Sequence, residues 1–353
     1  MHYLILVTVA AGLAAVLTPL VRRAALALGA IDRPGMRRVH ATPVPRLGGL
    51  AILFASLVTI AASPILGVDV PALLAGGGWR FGWLLAGMVL AVATGFVDDV
   101  RGLDPLPKLV LSAGAAALAL GGGFGFGGFT NPFTGSFIAF GALAGFATVL
   151  WIVAVTNAFN LIDGLDGLAA GVALIASLTL FAVSLMEGRA EAGLVWAVLA
   201  GALLGFLPYN FHPASIFLGD SGSLLLGYLL AVLALQSLAK GATLVLVLVP
   251  VLALGLPVIE VVSTVFRRTR STGAGSVFRA DHDHIHHRLL GRGLTHRGTV
   301  VSLYAVCAAL GALAFTAVVV QGPANAVVVA VASIAIWAGI TRLGRRKPRG
   351  ASE

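Results

Sequence analysis

Long apolar runs alternate with short polar breaks along almost the whole chain. Bounded by charged residues, prolines and glycine-rich stretches, the runs predict eleven helices, at residues 3–21, 47–66, 81–97, 109–126, 137–156, 166–186, 191–207, 222–238, 242–266, 299–320 and 324–341. Runs such as Leu244 to Val265 and Thr299 to Gln321 are long enough to cross a hydrocarbon layer of roughly 30 Å as helices. No stretch between them is large enough for an independent soluble domain. Residues 1–353 therefore read as one all-α polytopic membrane domain, ending in a basic tail at 342–353.

Four polar islands interrupt this pattern: DDVRGLD (Asp98 to Asp104), NAFNLIDGLDGL (Asn157 to Leu168), GDSGS (Gly219 to Ser223) and ADHDHIHHRL (Ala280 to Leu289). They hold eight of the fourteen Asp and Glu in the chain. A carboxylate beside lipid is costly and is usually retained for function.

Composition supports the membrane reading. The chain is 59% hydrophobic and 10% charged, with a mean hydropathy of +1.00, far from the roughly one-quarter charged residues of a soluble domain. The net charge of +9 is spread over several loops rather than gathered in one stripe, so it argues for topology signals and anionic groups, not nucleic acid. The single Cys307 excludes an intramolecular disulfide and any cysteine metal cluster. With no basic residue ahead of the apolar start at Tyr3, the first helix is expected to be retained rather than cleaved.

The helix count also predicts sidedness. Residues 22–46, 98–108, 157–165, 208–221, 267–298 and the tail from Arg342 fall on one side and carry twenty of the 23 Lys and Arg. Only Arg80, Arg189 and Lys240 fall on the other. The positive-inside rule puts the first set, with the C-terminus, in the cytoplasm and the N-terminus outside. Every polar island then lies at the cytoplasmic surface.

Each island has a chemical and a bland reading. Asp98 and Asp99 close the third predicted helix, where acids oppose the helix dipole; a pair there suits a divalent cation or a base more than a solvated end. Lys108 and Arg101 nearby can serve anionic groups or anchor the membrane edge. Asn157, Asn160 and Asp163 share one helical stripe, and with Asp166 they exceed what simple loop capping requires. Asp220 suits an N-cap, although the glycines and hydroxyls around it also suit a phosphate at a helix start. His282, His284, His286 and His287 evoke zinc, but HExxH is absent and Arg279, Arg288, Arg292 and Arg297 surround them. Such a loop suits a diphosphate better than a cation. The basic segment Arg33 to Gly49 offers Arg37, Arg38, His40 and Arg46 to phosphate or to anionic lipid. Glu260 reads as a buried acid bonding between helices.

Five motifs in order, VHATPVPRLGG, FVDDVRGLD, NAFNLIDGLDGLAAG, FLGDSGSLLLG and RADHDHIHHRLL, resemble the polyprenyl-phosphate N-acetylhexosamine-1-phosphate transferases (glycosyltransferase family 4) between about residues 32 and 290. The resemblance implies a bacterial inner-membrane enzyme with eleven helices and a cytoplasmic site. It implies transfer of GlcNAc-1-phosphate from a UDP-N-acetylhexosamine to undecaprenyl phosphate, with UMP released. It also implies magnesium, or manganese in its place, with Asn160 and Asp220 as ligands. Asp98 and Asp99 match the family's acidic pair, assigned to deprotonating the lipid phosphate and supporting the metal. Asp163 matches a further essential carboxylate, either a nucleophile or a positioning group. Asn157, Asp166, Arg46, His284, His286, His287 and Arg288 fall to substrate binding.

The HIHHRL sequence and the His/Arg–Pro–Arg segment from His40 to Arg46 are similar to the undecaprenyl-phosphate GlcNAc-1-phosphate branch rather than to the phospho-MurNAc-pentapeptide translocases. Val277 and Glu260 depart from that branch, which commonly has proline and aspartate there. The rival within the class is another UDP-N-acetyl sugar or UDP-MurNAc-pentapeptide. From another class, a flippase of an anionic lipid would place its polar groups near mid-membrane on broken helices, often in inverted repeats, and neither is visible. The residues neither require nor exclude a homodimer.

Overall fold

The computed structural model describes residues 1–32, 43–75, 79–131, 134, 136–236, 249, 251–260, 285–320, 327–332, 334–336 and 338–339. Helices dominate: α1 (His2–Ala27), α2 (Gly48–Ala62), α3 (Val70–Ala75), α4 (Trp79–Arg101), α5 (Pro105–Gly121), α6 (Leu143–Ile162), α7 (Leu168–Met186), α8 (Ala190–Asn210), α9 (Gly219–Gln236), α10 (Ile285–Leu290) and α11 (His296–Val319). Residues 251–260 add a helical stretch before α10, and Val327–Ile336 adds one after α11.

Seven of these helices are long and apolar enough to cross a membrane. Their outer surfaces show what surrounds them. Leu4, Val16, Phe146, Leu143 and Val89 are exposed on helices that present aliphatic side chains outward as well as inward. Such surfaces are stable against lipid and not against water. Several polar side chains inside the bundle turn back on their own helices. The hydroxyls of Thr18, Thr59 and Ser177 donate to the carbonyls four residues earlier at 2.6–2.7 Å, so these three donors do not face hydrocarbon unpaired. The protein is a multi-pass membrane protein.

Small residues set how closely the helices approach. Gly201 and Gly205, four apart on α8, lie against α1; a Cβ at these positions would sit 2.4 Å from the Val7 carbonyl oxygen and 2.1 Å from that of Ala11. Backbone contact of this kind replaces the hydrophobic drive that lipid removes. At the centre stands α9, packed by α2, α4, α6 and α7 and buried along most of its length. Buried Tyr228 donates to the Leu84 carbonyl on α4 at 3.2 Å, and Trp151 on α6 donates to the Ala231 carbonyl at 3.1 Å.

All eleven expected helices overlap described helical residues, although of the ninth, 242–266, only Val249 and 251–260 fall within the described residues. Helices α2, α5 and Val327–Ile336 are shorter than the rest. The all-α expectation needs one correction. Two short antiparallel pairs occur, β1 (Ile31–Asp32) with β2 (Val44–Pro45), and β3 (Gly128–Thr130) with β4 (Phe137–Ala139). The fourth expected helix ends at Gly121 instead of 126, and β4 occupies the start of the fifth, which begins at Leu143 instead of 137. Glycines from 121 onward cost a helix about 1 kcal/mol each and release the chain into a hairpin.

Candidate active site

At one end of the bundle, the C-terminal ends of α4 and α6 meet the N-terminal ends of α5 and α9. Asp98, on the last turn of α4, accepts the Leu103 amide at 2.7 Å and the Lys108 ammonium at 2.5 Å. Lys108, on the first turn of α5, also donates to Asp220 at the start of α9. Asn160, near the end of α6, donates to the other Asp220 oxygen at 2.8 Å and to Ser223 at 3.0 Å. Asp99 accepts the backbone amides of Asp220 at 2.8 Å and Ser221 at 3.0 Å. Thus three separate motifs, from 60 to 121 residues apart in the chain, form one hydrogen-bonded cluster.

Beside it opens a cavity of about 280 Å³ lined by Asp32, Arg46, Asp163, Asp166, Asn210, His212, Phe217, Asp220, His287 and His296, among others. Asp163 caps α6, and burial, followed by the charges of Asp220 and Asp99, pushes its carboxyl well above the usual carboxylate range, with Arg46 opposing. Arg46 is held by Asp32 at 2.5 Å, and its guanidinium lies 3.9 Å from Asp99. The β1–β2 pair fixes that arrangement, because Arg46 directly follows β2 and Asp32 ends β1.

The remaining expected residues divide. His287 reaches the cavity from α10. His286 is buried beside it, against Gly164, where an added Cβ would come within 2.6 Å of its Nε2. Arg288 shares α10 and is partly exposed, and His284 lies outside the described residues. Glu260 accepts the Ile285 amide at 3.3 Å, so this buried acid fastens the start of α10 to the preceding helical stretch. Asn157 donates back to the Val153 carbonyl of its own helix at 2.8 Å and does not line the cavity. Asp166 accepts from His212 at 2.8 Å and from the Ala214 amide at 3.1 Å, tying the α6–α7 loop to the α8–α9 loop.

Sequence reasoning passed over Asp32, Asn210, His212 and His296. Their signal was position: the polar YNFHPAS stretch sits ten residues before Asp220 on the same expected side, and His296 opens α11. Asp166, His212 and His296 hold ligating atoms within 4.8 Å of one another, but the two imidazoles stack at 4.1 Å and 20°, which sets their lone pairs side by side rather than toward a common ion.

The Asp98–Asp220–Asn160 cluster suits a hard divalent cation better. Its donors are carboxylate and carboxamide groups, and a Lys108 ammonium already bridges two of the carboxylates, which shows that the pocket is built for positive charge.

An acid-and-amide cluster at the shared end of a polytopic helix bundle, beside a cavity with basic side chains, suits a membrane transferase of phosphorylated groups. Residues 81–238 match the family described as Glycosyl transferase family 4. The chain belongs to that family. It is 38% identical over 291 residues to the "Probable undecaprenyl-phosphate N-acetylglucosaminyl 1-phosphate transferase" of Bacillus subtilis (strain 168), covering 82% of this chain and 78% of that protein. It is 37% identical over 308 residues to the decaprenyl-phosphate N-acetylglucosaminephosphotransferase of Mycobacterium tuberculosis (strain ATCC 25618 / H37Rv), covering 80% and 74%. With the phospho-N-acetylmuramoyl-pentapeptide-transferase of Desulforudis audaxviator (strain MP104C), the same 37% extends over only 216 residues, 54% of this chain and 62% of that one.

Proposed function

We propose that the protein transfers N-acetylglucosamine-1-phosphate from UDP-GlcNAc to undecaprenyl phosphate, releasing UMP, at the cytoplasmic face of a bacterial inner membrane. The convergence of Asp98, Lys108, Asn160 and Asp220 at one bundle end carries the reading, because phosphoryl transfer asks chiefly for alignment and neutralised charge. The names of the relatives support the substrates, and the distribution of Lys and Arg supports eleven spans with this end in the cytoplasm.

Asp220 and Asn160 would hold a magnesium ion, which supplies charge neutralisation on the diphosphate. The lipid phosphate oxygen attacks the β-phosphorus of the nucleotide sugar, and the bond to the α-phosphate oxygen breaks to release UMP. Asp98 takes the proton of the lipid phosphate. Lys108 sits between Asp98 and Asp220, where its ammonium faces the transferred phosphoryl. Arg46 and His287 bind the nucleotide diphosphate from the cavity walls. Asp163, on the wall of the same cavity, positions the substrate.

The deciding experiment supplies a panel of UDP-sugars and undecaprenyl phosphate to purified protein and measures UMP. UDP-GlcNAc should be turned over with magnesium and not with chelator, and Asp220→Ala should reduce the rate at least about 100-fold. Turnover of UDP-MurNAc-pentapeptide alone would overturn the sugar, and chelator-resistant UMP release would overturn the metal.

A further inference from the structure

Asp98 and Asp99 are neighbours in sequence, and on a helix neighbours point about 100° apart. The two carboxylates accordingly meet different surroundings. Asp98 keeps 13% of its side chain exposed and is bonded to Lys108. Asp99 keeps none exposed and is occupied on both oxygens by the first amides of α9, those of Asp220 and Ser221. These are amides that α9 itself leaves without partners, and a carboxylate there also complements the positive end of the helix dipole. The cap comes from another helix, a hundred and twenty-one residues away in the chain.

The packing around this bond admits nothing larger. Gly219 has φ +77°, and a Cβ there would lie 2.6 Å from one Asp99 oxygen and 3.0 Å from the other. One turn back on α4, a Cβ at Gly95 would lie 2.3 Å from the Asp220 carbonyl carbon. Both glycines therefore exist to bring the α4 backbone and the Asp99 carboxylate onto the start of α9. With its backbone held there, Asp220 sends its side chain toward Lys108 and Asn160.

We propose that Asp99 is a positioning residue: it caps α9 from α4, and in doing so aims the Asp220 carboxylate at the metal site, without receiving the lipid phosphate's proton or touching substrate. The proposal deepens the transferase reading above and rests on it for the role of Asp220. Asp99→Asn keeps the size of the side chain but offers one acceptor where two amides point, and its own NH2 opposes the second.

The test joins two measurements on full-length protein in detergent. Mn²⁺ binding, followed by the electron paramagnetic resonance of the free ion, should weaken roughly 10–100-fold in Asp99→Asn. Gly219→Ala, which displaces the same carboxylate and removes no titrating group, should weaken it comparably. In wild-type protein, carbodiimide and glycine ethyl ester should label Asp98 and leave Asp99 unmodified while the fold is intact. Unchanged Mn²⁺ affinity in either variant, or labelling of Asp99 as fast as Asp98, would overturn the proposal. If a variant does not fold, the wild-type labelling decides. Equal Mn²⁺ binding by wild type and Asp220→Ala would instead sink the metal reading, leaving the labelling result to judge Asp99 on its own.

Discussion

Burial of Asp163 has a thermodynamic consequence with a definite sign. Its carboxyl titrates well above 3.8 in the fold, so the folded state holds a proton that the unfolded chain has lost. The stability tied to that proton is fully present below the unfolded value and drains away as pH rises through the folded one. In chelator, Asp163→Asn should therefore gain apparent melting temperature over wild type at about pH 7, and the gain should shrink near about pH 4. An equal difference at both pH values would show that Asp163 titrates normally. The same residue separates one-step from two-step chemistry. Labelled UMP should not exchange into UDP-GlcNAc when the lipid is withheld; exchange would demonstrate a covalent enzyme intermediate and make Asp163 the nucleophile. Asp98, Asn160, Asp163 and Asp220 were legible as individual residues, because a carboxylate or carboxamide beside lipid is too costly to be incidental. The partner of each was not legible, since hydrogen bonds such as Asn160 to Asp220 join positions sixty residues apart.

At the scale of elements, α8 and α1 are held by the glycine pair at 201 and 205 rather than by large side chains. Gly205→Leu should force the helices apart and cost about 1–3 kcal/mol, read as a lower apparent melting temperature in detergent. Gly12 on α1, where a Cβ meets nothing within 4 Å, should tolerate alanine by the same assay. Helix positions were readable because apolar length is a local property. The β3–β4 hairpin was not, since a phenylalanine- and glycine-rich stretch satisfies an apolar count in either conformation, and only its pairing of Gly128 with Ala139 selects the strand.

For the whole molecule, the arrangement of basic residues predicts which bundle end faces which compartment. Cysteine introduced at Asp104, with Cys307 replaced by serine, should be shielded from a membrane-impermeant thiol reagent in intact cells, whereas cysteine at Glu187 should react. The reverse pattern would invert the orientation. By itself the sequence determined that this is a polytopic membrane protein, roughly where its helices run, and which polar residues are the candidates for chemistry, because hydropathy and the expense of a buried charge act residue by residue. Only the tertiary structure decided that Lys108 bridges Asp98 and Asp220, that His212 and His296 join the cavity, and that Asp99 serves the backbone of another helix. Those facts depend on the directions in which side chains leave their helices and on the close approaches that Gly95 and Gly219 permit. Such directions are set by packing among helices distant in the chain.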